Sequence, residues 1–228
     1  ADPQTEYMSE LLWGELPPDD MTVGQNGIRM SVDLVRGMNT GLFLDMRGVR
    51  ERMSAIYADA APQRDLNLFC YTGAFSVHAL KNGSASCINV DTSRTVLARA
   101  MENYRLNGVN PPQRDFVCMD AAEYLRYAAR KSLRFDLVVF DPPTFSRGKK
   151  GSFSVARDYP ALLELIGGVA EDGLVLSAIN THSVSDTDYL SMHPSSWERV
   201  FFEHEPADFP AADDSYLKAG LWRVKKCS

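Results

Sequence analysis

A chain of 228 residues with a formal charge of −6 is long enough for one large domain and a small addition at one end. No apolar run approaches the roughly 20 residues that span a bilayer, and the first residues lack the basic and apolar regions of a signal peptide, so a soluble, cytoplasmic protein is expected. The acidic balance argues against nonspecific coating of nucleic acid, which needs many cationic contacts to phosphate, and leaves room for one local basic patch.

Residues 1 to about 25 are polar and weakly periodic, with "LPPDD" reading as a turn or linker. "IRMSVDL" and "GLFLD" then flank "VRGMNTG" as an expected hairpin or strand pair, and "RGVRERMSAIYADAA" has helical spacing. From there the pattern is regular. "LNLFC" is a strand, "YTG" a turn and "AFSVHALKNG" a helix closing on glycine. "SASCINVD" is a second strand, followed by a helix that opens on a Ser or Thr cap and closes on Asn107-Gly108. "RDFVCMD", "AAEYLRYAARKS" and "RFDLVVFD" continue the alternation, as do "YPALLELIGGVAEDG" and "LVLSAIN". Continuous apolar strands alternating with helices predict an α/β fold with a parallel sheet covered on both faces. The last third, with "ERVFFEHE" and "YLKAGLWRVKK", alternates apolar and polar residues and predicts an antiparallel pair at a sheet edge.

In such a sheet, ligands bind beyond the carboxyl ends of the strands near the point where strand order reverses. Three successive strands end in an acid there: Asp91, Asp120 and Asp141. Asp91 is placed to accept from the two ribose hydroxyls of a nucleoside cofactor, or to cap the helix starting near Ser93. Asp120 is placed to accept from an adenine amino group, or again to cap a helix. Gly73 in "FCYTGAF" permits close backbone approach, but no GxGxxG follows, which favours a nucleoside cofactor without diphosphate over NAD or FAD. The specific element is "DPPTF" after a buried strand. Proline fixes φ and restricts the residue before it, so Asp141 and the Pro142 carbonyl become preorganised acceptors, with Phe145 set to stack on a planar base; the alternative is a strand-ending turn with a core Phe. Arg147, Lys149 and Lys150 follow on a Gly- and Ser-containing loop, as phosphate contacts or as a solvated face. Phe153 is a weaker stacking candidate, and His182 is expected to be incidental. The cysteines Cys70, Cys87, Cys118 and Cys227 are widely spaced without a CxxC pair, so they read as structural thiols and no metal site is expected.

"NTGLFLDMRGVR", "NLFCYTGAFSVHAL", "NVDTSRTVLARAMENYRLNG", "DPPTFSRGKK" and "YLKAGLWRV" together resemble the bacterial large-subunit ribosomal RNA methyltransferases, a class I S-adenosylmethionine-dependent family. The resemblance implies a Rossmann-like, mostly parallel seven-stranded sheet with an antiparallel edge strand, preceded by a small β-hairpin extension. It implies residues 1–25 as a linker, 26–60 as a hairpin and helix covering the cofactor site, and 61–228 as the catalytic domain. It further implies S-adenosylmethionine as cofactor, with Thr40, Phe43, Asp45 and Arg47 lying over it. Tyr71, Thr72 and Gly73 would hold the methionine part, Asp91 with Ser93 the ribose, and Asp120 the adenine. Asp141, Pro142 and Phe145 would meet the methyl and the target base. The expected partner is 23S ribosomal RNA or its precursor. Relatives usually carry an RNA-binding module ahead of this region, so RNA engagement through another segment, a homodimer or another protein is expected.

Pyrimidine carbon-5 is poorly nucleophilic and normally needs a cysteine thiolate to add at carbon-6. Relatives that methylate cytosine carbon-5 carry this cysteine after the fifth strand, where this chain has Asn180, here read as an RNA-side residue. Transfer to a guanine nitrogen is therefore expected. "DPPTFS" resembles the guanine-N7 subgroup, whereas "YLKAGLWRV" resembles the cytosine subgroup. Other readings are a methyltransferase of DNA or a small molecule, and a noncatalytic cofactor-binding protein.

Overall fold

The computed structural model describes residues 11–35, 39–148, 151–209 and 215–225, with the backbone alone for 145–148 and 151–156. Strands β1 (Thr22–Gln25) and β2 (Ile28–Ser31) form a hairpin about Asn26-Gly27. Both turn residues have positive φ, 50° and 77°, the conformation that two-residue hairpins need and that Asn-Gly adopts at least cost. The hairpin thus begins inside the stretch expected as linker. The segment 41–45, expected as a strand, is irregular, because its backbone is claimed by side chains of the crevice described below.

Helix α1 (Arg47–Ala60) buries Val49, Arg50, Met53 and Tyr57 on one stripe. Then follow β3 (Asp65–Leu68), α2 (Ala74–Lys81), β4 (Cys87–Asp91), α3 (Arg94–Leu106), β5 (Phe116–Cys118), α4 (Ala121–Arg130) and β6 (Leu137–Phe140). A second hairpin, β7 (Phe145–Gly148) with β8 (Gly151–Ser154), stands where a loop was expected. Helix α5 (Val155–Gly167) starts ahead of the expected position and contains Pro160 as its sixth residue, which removes one intrahelical N–H to carbonyl bond. The chain ends with β9 (Leu174–Asn180), α6 (Asp186–Ser191), β10 (Glu198–Glu203) and β11 (Leu217–Arg223).

The main sheet has seven strands in the order β10-β11-β9-β6-β3-β4-β5. Only β11 opposes its neighbours, forming the antiparallel edge pair with β10; β9, β6, β3, β4 and β5 are mutually parallel. Every residue of β3 and β6 is buried, which explains the continuous apolar run of β6. Leu66, Leu68, Val138 and Phe140 pack toward α4 and α5, while Leu137 and Val139 pack with α1, α2 and β11. Each such buried aliphatic side chain stabilises by about 1.5–3 kcal/mol. On β3 the two intervening positions are the polar Asp65 and Asn67, 1% and 3% exposed. The chain leaves β3 toward β4 on one side and reaches β6 on the other, so strand order reverses at the carboxyl end of β3, where a ligand crevice is expected.

Candidate active site

The turn leaving β3 is strained. Phe69, Tyr71 and Gly73 all have positive φ, 55°, 49° and 79°, and for a non-glycine residue this costs about 1–3 kcal/mol. Such a conformation persists only where its surroundings hold it. Here the Tyr71 N–H donates to Asp91 Oδ2 at 3.2 Å, Asn103 Nδ2 donates to the Thr72 carbonyl at 2.9 Å, and Thr72 Oγ1 donates to the Gly41 carbonyl at 2.6 Å. Beneath the turn, Asn67 donates to Ser76, Ser76 to Asn89 and Asn89 to Tyr104, at 2.7–2.8 Å each. A Cβ on Gly73 would lie 3.2 Å from Ala100 Cβ, so glycine serves the packing of this turn against α3 as well as its φ.

Residues 39–43 cross over the turn and close a crevice. Its outer part, about 220 Å³, is bounded by Asn39, Thr40, Gly41, Leu42, Phe43 and Tyr71. Phe43 is half-exposed at its mouth, its ring 5.3 Å from that of Tyr71. The inner part reaches Asn67, Thr72, Arg50 and Asp141. Of the expected site residues, Thr40, Phe43 and Tyr71 therefore line the outer part, and Phe43, Tyr71, Thr72 and Asp141 the inner part.

Burial pushes the Asp141 carboxyl up to about 7; the charge of Asp45 adds to this and that of Arg50 opposes it. Arg50 is 1% exposed. Its Nε donates to Gln25 Oε1 at 2.8 Å, its Nη2 to the same oxygen and to the Phe43 carbonyl at 2.7 Å, and its guanidinium lies 5.5 Å from the Phe75 ring centre. Burial lowers its pKa to about 10, opposed by the charges of Asp45 and Asp141. Sequence reasoning picked Arg47 in this helix, but Arg47 is absent from the crevice lining and chelates Asp208, with Nη1 at 2.7 Å from Oδ2. The missed signal was the spacing of Val49, Arg50, Met53 and Tyr57, which puts Arg50 on the buried stripe of α1.

Asp91 stands one hydrogen bond behind the crevice. Its Oδ1 accepts from the Ser93 N–H at 2.9 Å while Oδ2 accepts from Tyr71, and burial raises its pKa against these bonds. A carboxylate accepts about four hydrogen bonds, so capacity remains. Ser93 itself caps α3, accepting from the Val96 N–H at 3.3 Å. Asp120 is the exposed cap of α4, with Oδ1 accepting from the Glu123 N–H at 3.1 Å.

A second cluster forms beside Asp141 at the end of β9. Asp45, 8% exposed, accepts on Oδ2 from Asn180 Nδ2 at 3.4 Å and from the Tyr216 hydroxyl at 3.3 Å. The Thr144 hydroxyl donates to the Asn180 carbonyl, tying the DPPT turn to β9, and Pro142 is buried while Pro143 is exposed. His182 is exposed, with its ring edge-on to Tyr216 at 5.7 Å. Lys149 and Lys150 lie outside the described residues, as do Cys227 and the side chains of Phe145, Arg147 and Phe153. Asn180 is the last residue of β9. One sulfur is nearer Asp141 than the chain order suggests: Cys70 lines the inner crevice. It is 5% exposed, and burial, reinforced by Asp91, holds its thiol well above the ordinary range, whereas a nucleophilic sulfur must be a thiolate.

This geometry has close counterparts. A Bacillus subtilis protein named as a candidate ribosomal RNA large subunit methyltransferase, YwbD, is 41% identical over 224 residues, covering 93% of this chain and 55% of its own. Ribosomal RNA large subunit methyltransferase K of Neisseria meningitidis is 39% identical over 176 residues, covering 76% of this chain and 49% of its own. The chain therefore spans about half the length of these relatives. The crystal structure of SMU.776 complexed with SAH superimposes with a TM-score of 0.86 at 30% identity, covering 93% of this chain and 58% of that one. A methyltransferase of Agrobacterium tumefaciens shares the fold at a TM-score of 0.76 and 20% identity, covering 92% of this chain and 72% of that one. With the β3 turn, the acids at the strand ends and the DPPT corner in place, and with the family matching over residues 3–223, the chain belongs to the S-adenosylmethionine-dependent methyltransferases.

Proposed function

We propose that this protein methylates large-subunit ribosomal RNA at a guanine nitrogen, by direct displacement without a cysteine nucleophile. The carrying observation is the inner crevice, where Asp141 with its raised pKa shares a wall with the strained β3 turn and adjoins the Asp45–Asn180 corner. S-adenosylmethionine supplies an electrophilic methyl on a sulfonium. Its fit is supported by the uncommitted acceptor capacity of Asp91 and by the polar groups of Arg50, Asn67, Thr72 and Asp141 among the apolar lining of the inner crevice. The protein's task is then to align a nucleophile and exclude water. Asp141 and the Pro142 carbonyl would orient the base. Where the target is an exocyclic amine, ionised Asp141 takes the proton it loses; where it is N7, which loses none, the paired charges of Asp141 and Asp45 stabilise the cation that forms.

In this reading Thr40, Phe43, Tyr71 and Thr72 contact the cofactor, Asp91 its ribose and Asp120 its adenine. Phe145 stacks on the base, and Arg147, Lys149 and Lys150 contact phosphate. The segment 26–60 serves as a cover over the catalytic domain of 61–228. RNA is engaged with help from a second copy or another segment, in the cytoplasm. Among the described residues no helix is long and apolar enough to cross a membrane and no group of side chains could hold a metal ion. The test is mass-spectrometric nucleoside analysis of large-subunit ribosomal RNA from a deletion strain and its parent. Loss of one methylguanosine is expected; loss of 5-methylcytidine would overturn the nitrogen assignment, and an unchanged RNA would overturn the substrate.

A further inference from the structure

The rim of the site beyond Asn180 carries two aromatic rings. His182, two residues past β9, is exposed, and Tyr216, directly ahead of β11, is half-buried; their rings lie 5.7 Å apart with planes at 60°. The pair adjoins the Asp141 corner. The Tyr216 hydroxyl donates to Asp45 Oδ2 at 3.3 Å, the same oxygen accepts from Asn180, and the Asp45 charge acts on Asp141. The Thr144 hydroxyl of the DPPT corner donates to the Asn180 carbonyl.

The backbone under both rings is fixed. The Thr181 N–H donates to the Tyr216 carbonyl at 2.8 Å. Thr181 Oγ1 accepts from the Ser183 N–H at 3.1 Å and lies 2.9 Å from the Ser183 hydroxyl, folding the chain about His182. Lys218, 2% exposed, donates from Nζ to the Thr181 carbonyl at 3.0 Å and to the Ser215 carbonyl; these are the residues directly ahead of His182 and Tyr216. Among the described residues no ion pair involves Lys218. Burying an ammonium is costly unless it is paired or bonded, and here its bonds set the spacing of the two rings.

An exposed ring on a preorganised turn, braced by a second ring, suits a planar partner. Extrusion of a target base supplies one, because it leaves the neighbouring bases without a stacking partner, and base-flipping enzymes contact the flanking nucleotides. We propose that His182, braced by Tyr216, is the stacking platform for an unpaired RNA base flanking the methylated one. This rests on the RNA reading above and adds a substrate contact outside the crevice. Stacking tolerates any base, so the platform contributes affinity and register, while the choice of target stays with Asp141 and the Pro142 carbonyl.

The experiment is methyl transfer by the full chain to large-subunit ribosomal RNA from the deletion strain, at saturating S-adenosylmethionine. Wild type, His182→Ala and His182→Phe are compared, with calorimetric binding of S-adenosylhomocysteine as the check on the cofactor site. His182→Ala should raise KM for RNA about 10-fold, with kcat within about 2-fold of wild type and S-adenosylhomocysteine affinity unaltered. His182→Phe keeps a ring and loses both nitrogens, and should bring KM back to within about 3-fold of wild type. An unchanged KM in His182→Ala would overturn the platform and leave the RNA reading standing. A fall in kcat shared by both variants would make His182 a proton-transfer group and would equally overturn it. Absence of transfer by the wild type would overturn the RNA reading and the platform with it.

Discussion

Asp141 ends a buried strand, and its environment sets its chemistry. Burial raises its pKa to about 7, Asp45 raises it further and Arg50 counteracts. As a proton or hydrogen-bond acceptor it is active when ionised, so kcat should rise about tenfold per pH unit below 7 and level off above. Asp141→Asn keeps the shape and loses the charge. Transfer should fall at least 100-fold with no residual rise near pH 7, while S-adenosylhomocysteine binds within about 3-fold of wild type; a larger loss of affinity would make Asp141 a cofactor ligand first. The residue was legible in the sequence because Asp-Pro-Pro after an apolar strand has few alternatives. Arg50 was not, since a basic residue in a helix with other basic residues gives no sign of burial until the stripe of α1 is seen packed.

At the scale of elements, the cofactor side depends on the β3 turn, and the turn depends on α3. Asn103 and Asn107 reach from α3 to the β2 backbone, accepting from the Ser31 and Arg29 N–H groups at 2.8 Å each, while Asn103 also donates to Thr72. One helix thus ties hairpin and turn together. Gly73→Ala should cost about 1–2 kcal/mol by combining positive φ with crowding against Ala100, and should weaken S-adenosylhomocysteine binding. Gly108→Ala is the control: its φ is 71°, yet nothing lies within 4 Å of the added Cβ, so urea denaturation should show a loss from strain alone and calorimetry an unaltered affinity. The alternation of strands and helices was readable from periodicity, most plainly at β6, where burial on both faces leaves an uninterrupted apolar run. The first hairpin was misplaced, although Asn26-Gly27 is the strongest short-range hairpin signal in that region. Segment 41–45 looked like a strand because "GLFL" is apolar, but Leu42 is buried while Phe43 and Leu44 face outward, and the Gly41 carbonyl goes to Thr72 instead of a neighbouring strand.

For the whole molecule, four buried groups with large shifts contribute to how stability depends on pH. Asp65 and Asp141 are both raised from 3.8 to about 7, and His78 and His193 are both lowered from 6.5 to about 4, burial being the leading cause in each case. A raised carboxyl holds its proton in the fold and not in the unfolded chain, so its contribution is present at low pH and lost as pH rises from about 4 through 7. A depressed imidazole behaves oppositely: its contribution is present above 6.5 and lost as pH falls toward 4. Between about pH 4.5 and 6 the fold therefore holds two extra protons on carboxyls and the unfolded chain two on imidazoles, and these four contributions cancel. Asp65 is the one of the two carboxyls that lies outside the active site. Both its oxygens are buried without a geometric hydrogen bond, as are the nearby Tyr57 and Ser84 hydroxyls, although Ser84 offsets some of the rise and Asp136 adds to it. Asp65→Asn removes one of the two native-state protons. Relative to wild type, its stability should then climb with pH by about 1.4 kcal/mol per unit across this window. Urea denaturation of both proteins at pH 4.5 and 6 would detect a differential of about 2 kcal/mol; identical slopes would mean that Asp65 is already ionised in the fold and that its charge is met by groups beyond Ser84.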